Sequence, residues 1–526
     1  MKHSSAATLF SLILAGQSAY AADTTTASAS ASKTHKSKVL IIGAGASGIA
    51  AAKALAAKGI TDYIVIEGRK DVIGGRMHNI NWPPGTNGTV ELGANWVEGV
   101  NGPTINPITE LANKYNLVRT PTNWDDISVR DARGAVAEKV WGPIAEKFDA
   151  MHEEAAEMAA QRVQDGLQDM SLRAAYRMLG WNPTTPVEMA IEWNGFDAEQ
   201  AERPDVSSHA YTADMHSFGP DYDFVVDKRG FKTIIEQEAN AGGLGYGSQR
   251  LHLGKVVNSI QWAKDTGSSK ATTNVSPTPQ VTVKTKDGTT YVADYVISST
   301  SLGVLQSPDI KFTPALPPWK IQSIFEFNIA TYTKIFLNFP KKFWSDTEFT
   351  LYADSKRGYF GYWQNTKAKP YKKFFPDNSN IFFVTVTDLE AKRIEQQSDE
   401  ATLDEIMVVL RKTYGPNTPR ATHIHVPRWH SDPLFRGTFT NWPIGQVRQE
   451  FENLRAPVGN LWFTGEHTSL KYFGYVHGAW LAGLDIGGSV AQCIKGKCPS
   501  MPIHTTVKED CGSSLKKRGF DVGERS

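Results

Sequence analysis

Three glycines and a glutamate near the N-terminus have the types and spacing needed to hold a dinucleotide. Gly43, Gly45 and Gly48 lie in the segment GAGASG, and Glu67 follows Gly48 by nineteen residues. The first glycine permits a tight turn, the second lets the backbone approach a pyrophosphate, and the third lets a helix pack closely on a strand. The Glu67 carboxylate can then accept hydrogen bonds from ribose hydroxyls. These residues predict a dinucleotide-binding site.

A glycine pair and an arginine follow shortly afterwards. Gly74 and Gly75 provide a second close backbone approach, and the guanidinium of Arg76 can bind the same pyrophosphate through two hydrogen bonds. A nicotinamide-binding site does not need this addition, whereas the glycine doublet resembles one found in FAD-dependent oxidoreductases. The pattern therefore favours FAD as the dinucleotide.

The elements that position these residues form a βαβ unit. The apolar β-formers of Val39–Ile42 predict a strand, and an alanine-rich helix then runs to Lys58, where Gly59 ends it. A second apolar run, Tyr63–Ile66, predicts the strand that ends at Glu67. A strand, a turn, a helix and a second strand give the glycines the context that dinucleotide binding requires.

Length and charge limit what the rest of the chain can do. It has 526 residues, enough for two or more domains, and a net charge of +1. A nearly neutral chain has no bulk electrostatic attraction for nucleic acid or for an anionic membrane. Beyond the N-terminal segment, no stretch of the sequence is long and apolar enough to span a bilayer. We therefore expect no nucleic-acid or membrane partner, and we expect a monomer.

The N-terminal segment has the features of a signal peptide. A lysine and a histidine precede the apolar run Ala6–Ala15, which is too short for a permanent anchor, and Ala19-Tyr20-Ala21 offers small residues for cleavage. We predict a signal peptide over residues 1–21 and secretion to the extracellular space or the vacuole. An uncleaved disordered tail is the alternative. The Ser/Thr/Ala-rich residues 22–37 predict a flexible lead-in.

The cysteines and the glycosylation sequons are consistent with a secreted protein. The three cysteines all lie near the C-terminus, where Cys493 and Cys498 could pair in an oxidising compartment and leave Cys511 over. This arrangement is neither a disulfide scaffold nor a thiolate metal site, and we predict no bound metal. Asn87 and Asn274 begin Asn-x-Ser/Thr sequons, which are functional only on a secreted chain.

Periodicity predicts the elements between these landmarks. Residues 143–166 have helical spacing, and we interpret Met151 and Met158 there as core contacts and not as a cofactor box. Alternating apolar and polar residues in 250–262 and 280–298 predict strands, whereas helical patterns fill 390–414 and 478–493.

Dinucleotide-type elements recur in the middle and at the end of the chain. Val292–Ser298 has the pattern of a strand that returns to the first sheet, and Phe463–His467 opens a last glycine-rich turn. The sequence therefore predicts an α/β fold in which separated segments assemble one FAD-binding domain, and the intervening segments form a second domain over it. The predicted FAD-binding domain comprises residues 38–118, 238–326 and 435–498; the predicted substrate-binding domain comprises 119–237 and 327–434; and 499–526 is predicted to be a disordered tail.

Several long motifs resemble those of the flavin-containing amine oxidases, and most closely those of the secreted polyamine oxidases of plants. They include IGGRMH, VELGANWVEGVNG, TYTKIFLNFPKKFW, FTGEHTS and GYVHGA, and the resemblance extends from about Lys38 to Cys498. It implies a Rossmann-like FAD-binding domain built from discontinuous segments, and an α+β substrate-binding domain with a mixed six-stranded sheet. It also implies oxidation of spermine or spermidine beside the secondary amine. In that reaction a hydride equivalent passes to flavin N5, and O2 is reduced to H2O2. The imine then hydrolyses to an aminoaldehyde and an amine, and the resemblance to the plant enzymes implies that this amine is 1,3-diaminopropane.

The resemblance assigns roles to a lysine and two glutamates. Lys334 matches a lysine that holds a water at flavin N5, although a lysine on the solvated face of an edge strand is the alternative reading of its position. Glu98 and Glu199 match carboxylates that bind substrate. A polyamine is a long flexible polycation, so it needs spaced anions along an apolar tunnel. Glu192 and Glu202 are near enough in sequence to be alternatives to Glu199.

Four aromatic residues complete the predicted substrate site. Tyr475 and Phe439 resemble an aromatic pair that flanks the amine, and Tyr332 is expected to contact it as well. Trp429 matches a tryptophan beside the flavin ring, whereas the following His430 departs from the Trp-Trp pair of the plant enzymes. The residues expected to be catalytic are Lys334, Tyr475 and Glu98.

The resemblance also implies the FAD contacts. Glu466 would bond to the ribityl chain, and Val257 would meet the adenine through its backbone. Monoamine oxidases attach FAD through a cysteine near the final motif, but Leu470–Gly474 has none, so noncovalent FAD is expected. The full set of expected FAD contacts is Gly43, Gly45, Ser47, Gly48, Glu67, Arg69, Gly75, Arg76, Val257, Trp429 and Glu466.

Three other functions compete with this prediction. The first is a monoamine or L-amino acid oxidase of the same fold, and the amino acid oxidase would need a cation for the substrate carboxylate. The second is a flavoprotein that binds partners without turnover, which the retention of Lys334 and Tyr475 argues against. The third is a nicotinamide dehydrogenase, which would need a second GxGxxG that the sequence lacks.

Overall fold

The structure, a computed structural model, describes residues 33–213, 216–262, 280–501 and 503. The predicted signal peptide, most of the lead-in, Asn274, Cys511 and nearly all of the predicted tail lie outside these residues.

The first sheet carries the glycine-rich turn. Thr34–Ile42 pairs in parallel with Tyr63–Ile66 on one side and with Thr290–Ser298 on the other, which confirms the predicted return of 292–298 to this sheet. The lead-in was predicted to extend to residue 37, but the strand already begins at Thr34, because Thr34–Ser37 pair with Thr290–Ala293. In spatial order the strands are Leu251–His252, Tyr63–Ile66, Thr34–Ile42, Thr290–Ser298, Val281–Thr285, Val257–Gln261 and Lys311–Thr313, with Leu461–Phe463 beside the end of Thr290–Ser298.

Two small-residue helices pack on this sheet. Ala46–Ala57 follows the glycine-rich turn directly and lies against the last long helix, Val476–Ile494. A Cβ at Gly483 would come within 2.1 Å of the Ser47 carbonyl oxygen, and a Cβ at Gly487 within 2.5 Å of the Ala51 carbonyl oxygen. The glycines therefore permit the two helices to pack closely. This contact fixes the direction of the first helix, whose N-terminus follows the glycine-rich turn.

The second sheet is mixed and has seven strands, one more than the six expected. Phe349–Tyr352 pairs in parallel with Ile127–Asp131, whereas the other pairs are antiparallel. The extra strand, Gly134–Val136, arises because the chain turns back after Asp131 and forms a short hairpin at the sheet edge. The spatial order is His423–His425, Tyr332–Asn338, Ile381–Thr387, Tyr362–Asn365, Phe349–Tyr352, Ile127–Asp131 and Gly134–Val136.

Three small sheets connect these layers. Their members are Trp96–Glu98 with Tyr222–Val225 and Arg119–Pro121, then Asn79–Asn81 with Thr89–Glu91, and finally Asn328–Ile329 with Thr440–Asn441.

The remaining helices confirm most of the helical predictions. Glu138–Gln164 covers all but the last two residues of the predicted stretch 143–166. Met151 is buried beside Phe148 and Met158 packs partly buried against the same cluster, as the core interpretation predicted. Residues 390–414 form two helices instead of one, because the Ser398 hydroxyl caps a new helix by accepting the Ala401 N–H. The helices between Ala46–Ala57 and Val476–Ile494 are Pro107–Lys114, Glu138–Gln164, Leu172–Met178, Pro186–Glu192, the π-helical Trp193–Asp197, Ala198–Gln200, His209–Thr212, Thr233–Ala241, Leu302–Gln306, Pro318–Glu326, Asp388–Glu395, Asp399–Tyr414, Arg448–Arg455 and the 3-10 turn Glu466–Thr468.

Cys493 and Cys498 form a disulfide at the end of the last helix. Among the helices of the described segments, none is both long and apolar enough to cross a bilayer. The same segments contain no cluster of His, Cys, Asp and Glu side chains arranged to hold a metal ion.

Candidate active site

A cavity of about 340 Å³ lies where strands of the first sheet end. Its wall includes the glycine-rich turn at Gly43 and Gly45, and Glu67 at the end of the second strand. On another side it is closed by Lys334 from the second sheet and by Tyr475 at the start of the last helix. The predicted dinucleotide site and the predicted substrate site therefore share one space.

The glycine-rich turn keeps part of this wall free of side chains. Gly43 has a φ of +98°, and a Cβ at Gly48 would lie 2.0 Å from the Gly43 carbonyl oxygen, so both positions need glycine for the fold itself. Gly45 is different, because a Cβ there would meet nothing beyond its own chain neighbours closer than 3.8 Å, at Gly75. Both Gly45 and Gly75 line the cavity, so side chains there would enter it. This open surface at the N-terminus of Ala46–Ala57 suits a pyrophosphate.

The Glu67 carboxylate is fixed beside this turn. Its Oε2 accepts the Ala44 N–H at 2.9 Å, and its Oε1 accepts the Arg69 N–H at 2.9 Å. Burial raises the pKa of Glu67, and these backbone bonds act in the opposite direction. Arg69 does not itself line the cavity; its guanidinium lies 4.9 Å from the centre of the Phe435 ring, and it contributes through its backbone.

A half-buried Arg76 and a buried Glu466 form an ion pair on the same cavity wall. Arg76 Nη1 donates to Glu466 Oε1 at 2.8 Å and to the Thr438 carbonyl at 2.5 Å, while Glu466 Oε2 accepts the Gly474 N–H at 2.8 Å. Burial opposes the ionisation of Glu466, but the Arg76 charge and these hydrogen bonds outweigh it and lower the pKa of the carboxyl. The pair joins the glycine doublet to the segments that carry the aromatic residues.

Lys334 is buried and points into the cavity wall. Its Nζ donates to the Gly93 carbonyl at 2.6 Å and to Asn95 Oδ1 at 2.7 Å. Burial lowers the pKa of Lys334 to about 7, and the nearby Glu91 carboxylate counteracts part of that shift. With only 2% of its surface exposed, Lys334 does not lie on a solvated edge. A buried amine that gives up its proton near neutral pH can take part in proton transfer.

Glu91 has an unusual environment of its own. Its Oε1 accepts the Phe231 N–H at 2.7 Å, whereas its buried Oε2 has no hydrogen-bond partner among the described residues. Burial raises the pKa of Glu91 to about 7, and the Lys334 charge acts against this. Each charge therefore shifts the pKa of the other group: the Glu91 carboxylate raises that of Lys334, and the Lys334 ammonium lowers that of Glu91.

The two predicted substrate carboxylates both line the cavity. Glu98 pairs with Tyr222 across a small sheet, and Glu199 Oε1 accepts a hydrogen bond from the Tyr475 hydroxyl. Burial and then the charge of Glu199 raise the pKa of Glu98 well above its ordinary value. Desolvation within the cavity also raises the pKa of Glu199, against the effect of the Tyr475 bond. Two coupled carboxylates in one cavity favour a cationic ligand.

The two alternatives to Glu199 have other partners. Glu192 binds Arg173 at 2.5 and 2.6 Å and Arg357 at 2.9 Å, and it is fully buried away from the cavity. Glu202 accepts hydrogen bonds from Asn328 at 3.1 Å and from Asn441 at 2.9 Å.

Aromatic side chains form another part of the cavity wall. Phe439 lies 6.1 Å from Tyr332 between ring centres, and Tyr475 stacks on His477 at 4.9 Å. Phe439, Tyr332, Tyr475 and His477 all line the cavity. Gly474, with a φ of +83°, would place a Cβ only 3.3 Å from Phe439, so the glycine lets the two aromatic segments meet.

Trp429 closes the cavity beside Lys334. Its Nε1 donates to the Leu92 carbonyl at 3.3 Å, and a Cβ at Gly93 would lie 3.4 Å from its ring. His430, which replaces an expected tryptophan, is not part of the cavity wall; its N–H bonds to Glu395.

The structure thus brings most of the predicted residues together. Gly48 and Arg69 alone among them stay outside the described cavity wall and act through the backbone. Sequence reasoning missed Glu91, Asn95, Asn106 and His477 as site residues, although Glu91, Asn95 and His477 lie inside the quoted motifs. Asn106 Nδ2 contacts His477 Nδ1 at 3.3 Å. The open glycine wall, the Glu67 carboxylate and the Arg76–Glu466 pair fit the predicted FAD.

Comparison with known proteins identifies relatives along nearly the whole chain. The model of the flavin containing amine oxidoreductase family matches residues 46–486. Polyamine oxidase 1 of Zea mays is 44% identical over 482 residues, which cover 88% of this chain and 91% of that protein. Polyamine oxidase 6 of Oryza sativa subsp. japonica is 44% identical over 478 residues, covering 88% of this chain and 92% of that protein.

Solved structures show the same fold. A structure of putrescine oxidase, described as the wild type bound to putrescine, superposes with a TM-score of 0.64 over 88% of this chain and 100% of that one. The two sequences are 18% identical, so this likeness concerns the fold alone.

Proposed function

The chain belongs to the family of flavin-containing amine oxidoreductases and is an FAD-dependent amine oxidase, and on that basis we propose that it is a polyamine oxidase acting on spermine and spermidine. Its likeness to the polyamine oxidases of Zea mays and Oryza sativa supports this choice of substrate.

The observation that carries the proposal is the pair of carboxylates Glu98 and Glu199, which line the cavity together with the aromatic side chains of Tyr332, Phe439 and Tyr475. Their charges interact, because the Glu199 charge raises the pKa of Glu98. A ligand with several ammonium groups on an apolar chain satisfies both carboxylates and relieves their repulsion, whereas a short monoamine can reach one at a time. The substrate chemistry that fits the site is therefore a linear polycation.

The side chains bind and orient the amine for oxidation. FAD, when bound, would supply the acceptor for a hydride equivalent from the carbon beside the secondary nitrogen, and O2 would take up the two electrons and two protons as H2O2. Phe439 and Tyr475 flank the chain of the amine, while Glu98 and Glu199 hold its ammonium groups and so select the nitrogen that is presented. Lys334, held by Gly93 and Asn95, gives and takes a proton near the reacting centre.

The finer details of the reaction follow the resemblance to secreted plant enzymes. After oxidation the imine hydrolyses to an aminoaldehyde, and 1,3-diaminopropane is the amine released. FAD is held without a covalent bond, because Leu470–Gly474 offers no cysteine. Denaturation followed by ultrafiltration should therefore transfer the yellow colour to the filtrate.

Secretion and glycosylation are part of the same proposal. Asn87 is exposed in the turn between Asn79–Asn81 and Thr89–Glu91, so the side chain is accessible for glycosylation. The Cys493–Cys498 disulfide suits an oxidising compartment. Expression in a eukaryotic host should give a secreted protein that begins after about Ala21 and shifts in mass on deglycosylation.

The decisive experiment is an anaerobic titration of the purified yellow protein with spermine, followed in the visible flavin spectrum. Rapid bleaching, with 1,3-diaminopropane among the products, is the expected result. A yellow protein that bleaches with a monoamine or an L-amino acid but not with spermine would overturn the substrate and leave the family and cofactor intact.

A further inference from the structure

The segment that carries Glu199 contains one turn of π-helix. The helix Pro186–Glu192 continues into Trp193–Asp197, where the Ala198 N–H bonds to the Trp193 carbonyl, five residues back. Such a turn adds one residue and rotates everything after it by about 100° relative to a continuous α-helix. The residue presented after the turn is Glu199, which accepts the Tyr475 hydrogen bond. Its direction into the cavity therefore depends on the turn.

Two buried carboxylates mark the ends of this turn. Glu192 comes directly before it and Asp197 is its last residue, and their exposed fractions are 0% and 1%. A single guanidinium binds both. Arg357 Nε donates to Glu192 Oε1 at 2.9 Å, its Nη2 donates to Asp197 Oδ1 at 2.6 Å, and its Nη1 bonds to Asp197 Oδ2. The arginine thus spans the π-turn from one end to the other.

Arg357 belongs to a different part of the fold from the turn that it binds. It lies in the loop between Phe349–Tyr352 and Tyr362–Asn365 of the second sheet. The next residue, Gly358, has a φ of +73°, and a Cβ there would lie 2.6 Å from Trp193 Nε1. The loop is therefore packed on the first residue of the turn as well as bonded to its last residue.

We infer that Arg357 is a positioning residue for polyamine recognition: through Asp197 it holds the π-turn in the register that directs Glu199 toward Tyr475. The inference rests on the proposed role of Glu199 in binding a polycation. A buried ion pair of this kind seldom increases stability, since the desolvation of both charges offsets their attraction. The geometry, in which one guanidinium bonds to both ends of a single turn, fits a role in fixing that local conformation.

Arg173 provides a matched control within the same cluster. It binds Glu192 through two hydrogen bonds of 2.5 and 2.6 Å, and Trp181 Nε1 adds a third at 2.9 Å. Among the described contacts, Arg173 makes no hydrogen bond with Asp197. Replacing Arg173 therefore removes one cation from the cluster and leaves the bond across the π-turn in place.

The first test needs no substrate. Hydrogen–deuterium exchange of the FAD-loaded enzyme should show amides of residues 193–200 exchanging at least about tenfold faster in Arg357→Met than in the wild type, as expected when local opening costs less. Arg173→Met should leave the exchange of these residues within about threefold of the wild type. Unchanged exchange in Arg357→Met, or equal acceleration in both variants, would refute the positioning role, whatever the substrate is.

The second test separates positioning from general damage. In Arg357→Met we expect the KM for spermine to rise about tenfold, while kcat and the KM for a short monoamine change by less than about threefold. In a Glu199→Gln background the same replacement should add little, because the group that it positions is already neutral. Additive effects, or equal losses for spermine and the monoamine, would contradict the inference.

The outcomes also distinguish this inference from the proposed function. If residues 193–200 exchange faster in Arg357→Met but the wild type is not reduced by spermine, the positioning holds and the substrate assignment fails. Arg357→Lys keeps the charge without the planar fork, so it should give an intermediate effect in both tests. Should Arg357→Met fail to fold, Arg357→Lys serves in its place. The positioning role would be refuted if Arg357→Lys had the same hydrogen exchange and the same KM for spermine as the wild type.

Discussion

The Nζ nitrogen of Lys334 lies 2.6 Å from the carbonyl oxygen of Gly93, so a lysine of the second sheet is bonded to the segment that leads to Glu98. One short stretch of backbone thereby sets the places of Lys334 and Glu98, the proposed proton-carrying group and the proposed substrate carboxylate. The relative position of these two groups is fixed by a contact between residues that are 241 positions apart in the chain.

Replacing Lys334 by methionine should keep FAD and slow turnover. The variant loses the amine that exchanges a proton near the reacting centre, and such groups contribute about 10²–10⁴-fold to a rate. We expect kcat or the rate of flavin reoxidation to fall by about 10²-fold. Stopped-flow measurement of both half-reactions tests this, with the visible spectrum as the control for FAD content. Unchanged rates in both half-reactions would show that Lys334 has no part in catalysis.

Replacing Glu91 by glutamine should shift the pH dependence of the step that uses Lys334 to lower pH. Burial lowers the pKa of Lys334 to about 7, and the Glu91 carboxylate opposes that shift. Removing the carboxylate charge leaves the lowering effect alone, so Lys334 loses its proton at a lower pH than in the wild type. The pH profile of flavin reoxidation measures this.

Glu452→Gln is the control for that experiment, because Glu452 pairs with Arg455 at 3.4 Å within the helix Arg448–Arg455, and neither residue contributes to the pKa shifts of Glu91 and Lys334. Its profile should match the wild type. A Glu91→Gln profile that moves to higher pH, or does not move, would contradict the coupling of Glu91 with Lys334.

The sequence led to Lys334 through its motif but gave no sign of its partner. Glu91 and Lys334 belong to different sheets, and nothing local to either residue reveals that the Glu91 charge acts on Lys334. The same is true of Arg357 and Asp197, where the sequence shows no periodic or motif signal across the 160 positions between them. The glycine turn and Glu67 could be predicted because their spacing is set by one local βαβ unit.

The limits of the fold prediction have the same cause. The first strand begins at Thr34 because its early residues find partners in Thr290–Ala293, and only the folded sheet shows that pairing. The seventh strand of the second sheet, Gly134–Val136, is too short for its alternation to be recognised in the sequence. Long periodic helices such as Val476–Ile494 were predictable because their pattern repeats over many turns.

The affinity for spermine should rise with pH through the ionisation of Glu98 and Glu199. Burial raises the pKa of both carboxyls, and the Glu199 charge raises that of Glu98 further. A carboxyl with a raised pKa is charged only above that value, so the KM for spermine should increase as the pH falls, and more steeply than the KM for a short monoamine. Steady-state kinetics over a pH series measure both.

Neutralising the carboxylates should remove this dependence. The double variant Glu98→Gln with Glu199→Gln should raise the KM for spermine by about 10²-fold, because two charge-assisted contacts are lost. Glu199→Gln alone should let Glu98 ionise at lower pH. The remaining pH dependence of the KM for spermine should therefore shift to lower pH. Equal losses for spermine and the monoamine would argue against carboxylates that recognise a polycation.

Gly45 and Gly48 should respond differently to the same methyl group. A Cβ at Gly45 projects into the cavity with no neighbouring group nearer than 3.8 Å, so Gly45→Ala should fold normally and weaken FAD binding by about tenfold, by excluding the pyrophosphate from the turn. A Cβ at Gly48 would lie 2.0 Å from the Gly43 carbonyl oxygen, so Gly48→Ala should destabilise the protein by about 1–3 kcal/mol through overpacking. Excess FAD stabilises the folded state by mass action and should therefore restore the thermal stability of Gly45→Ala to that of the wild type, but not that of Gly48→Ala. Thermal unfolding over an FAD concentration series measures this difference. Identical responses of the two variants would contradict the binding of the FAD pyrophosphate at Gly45.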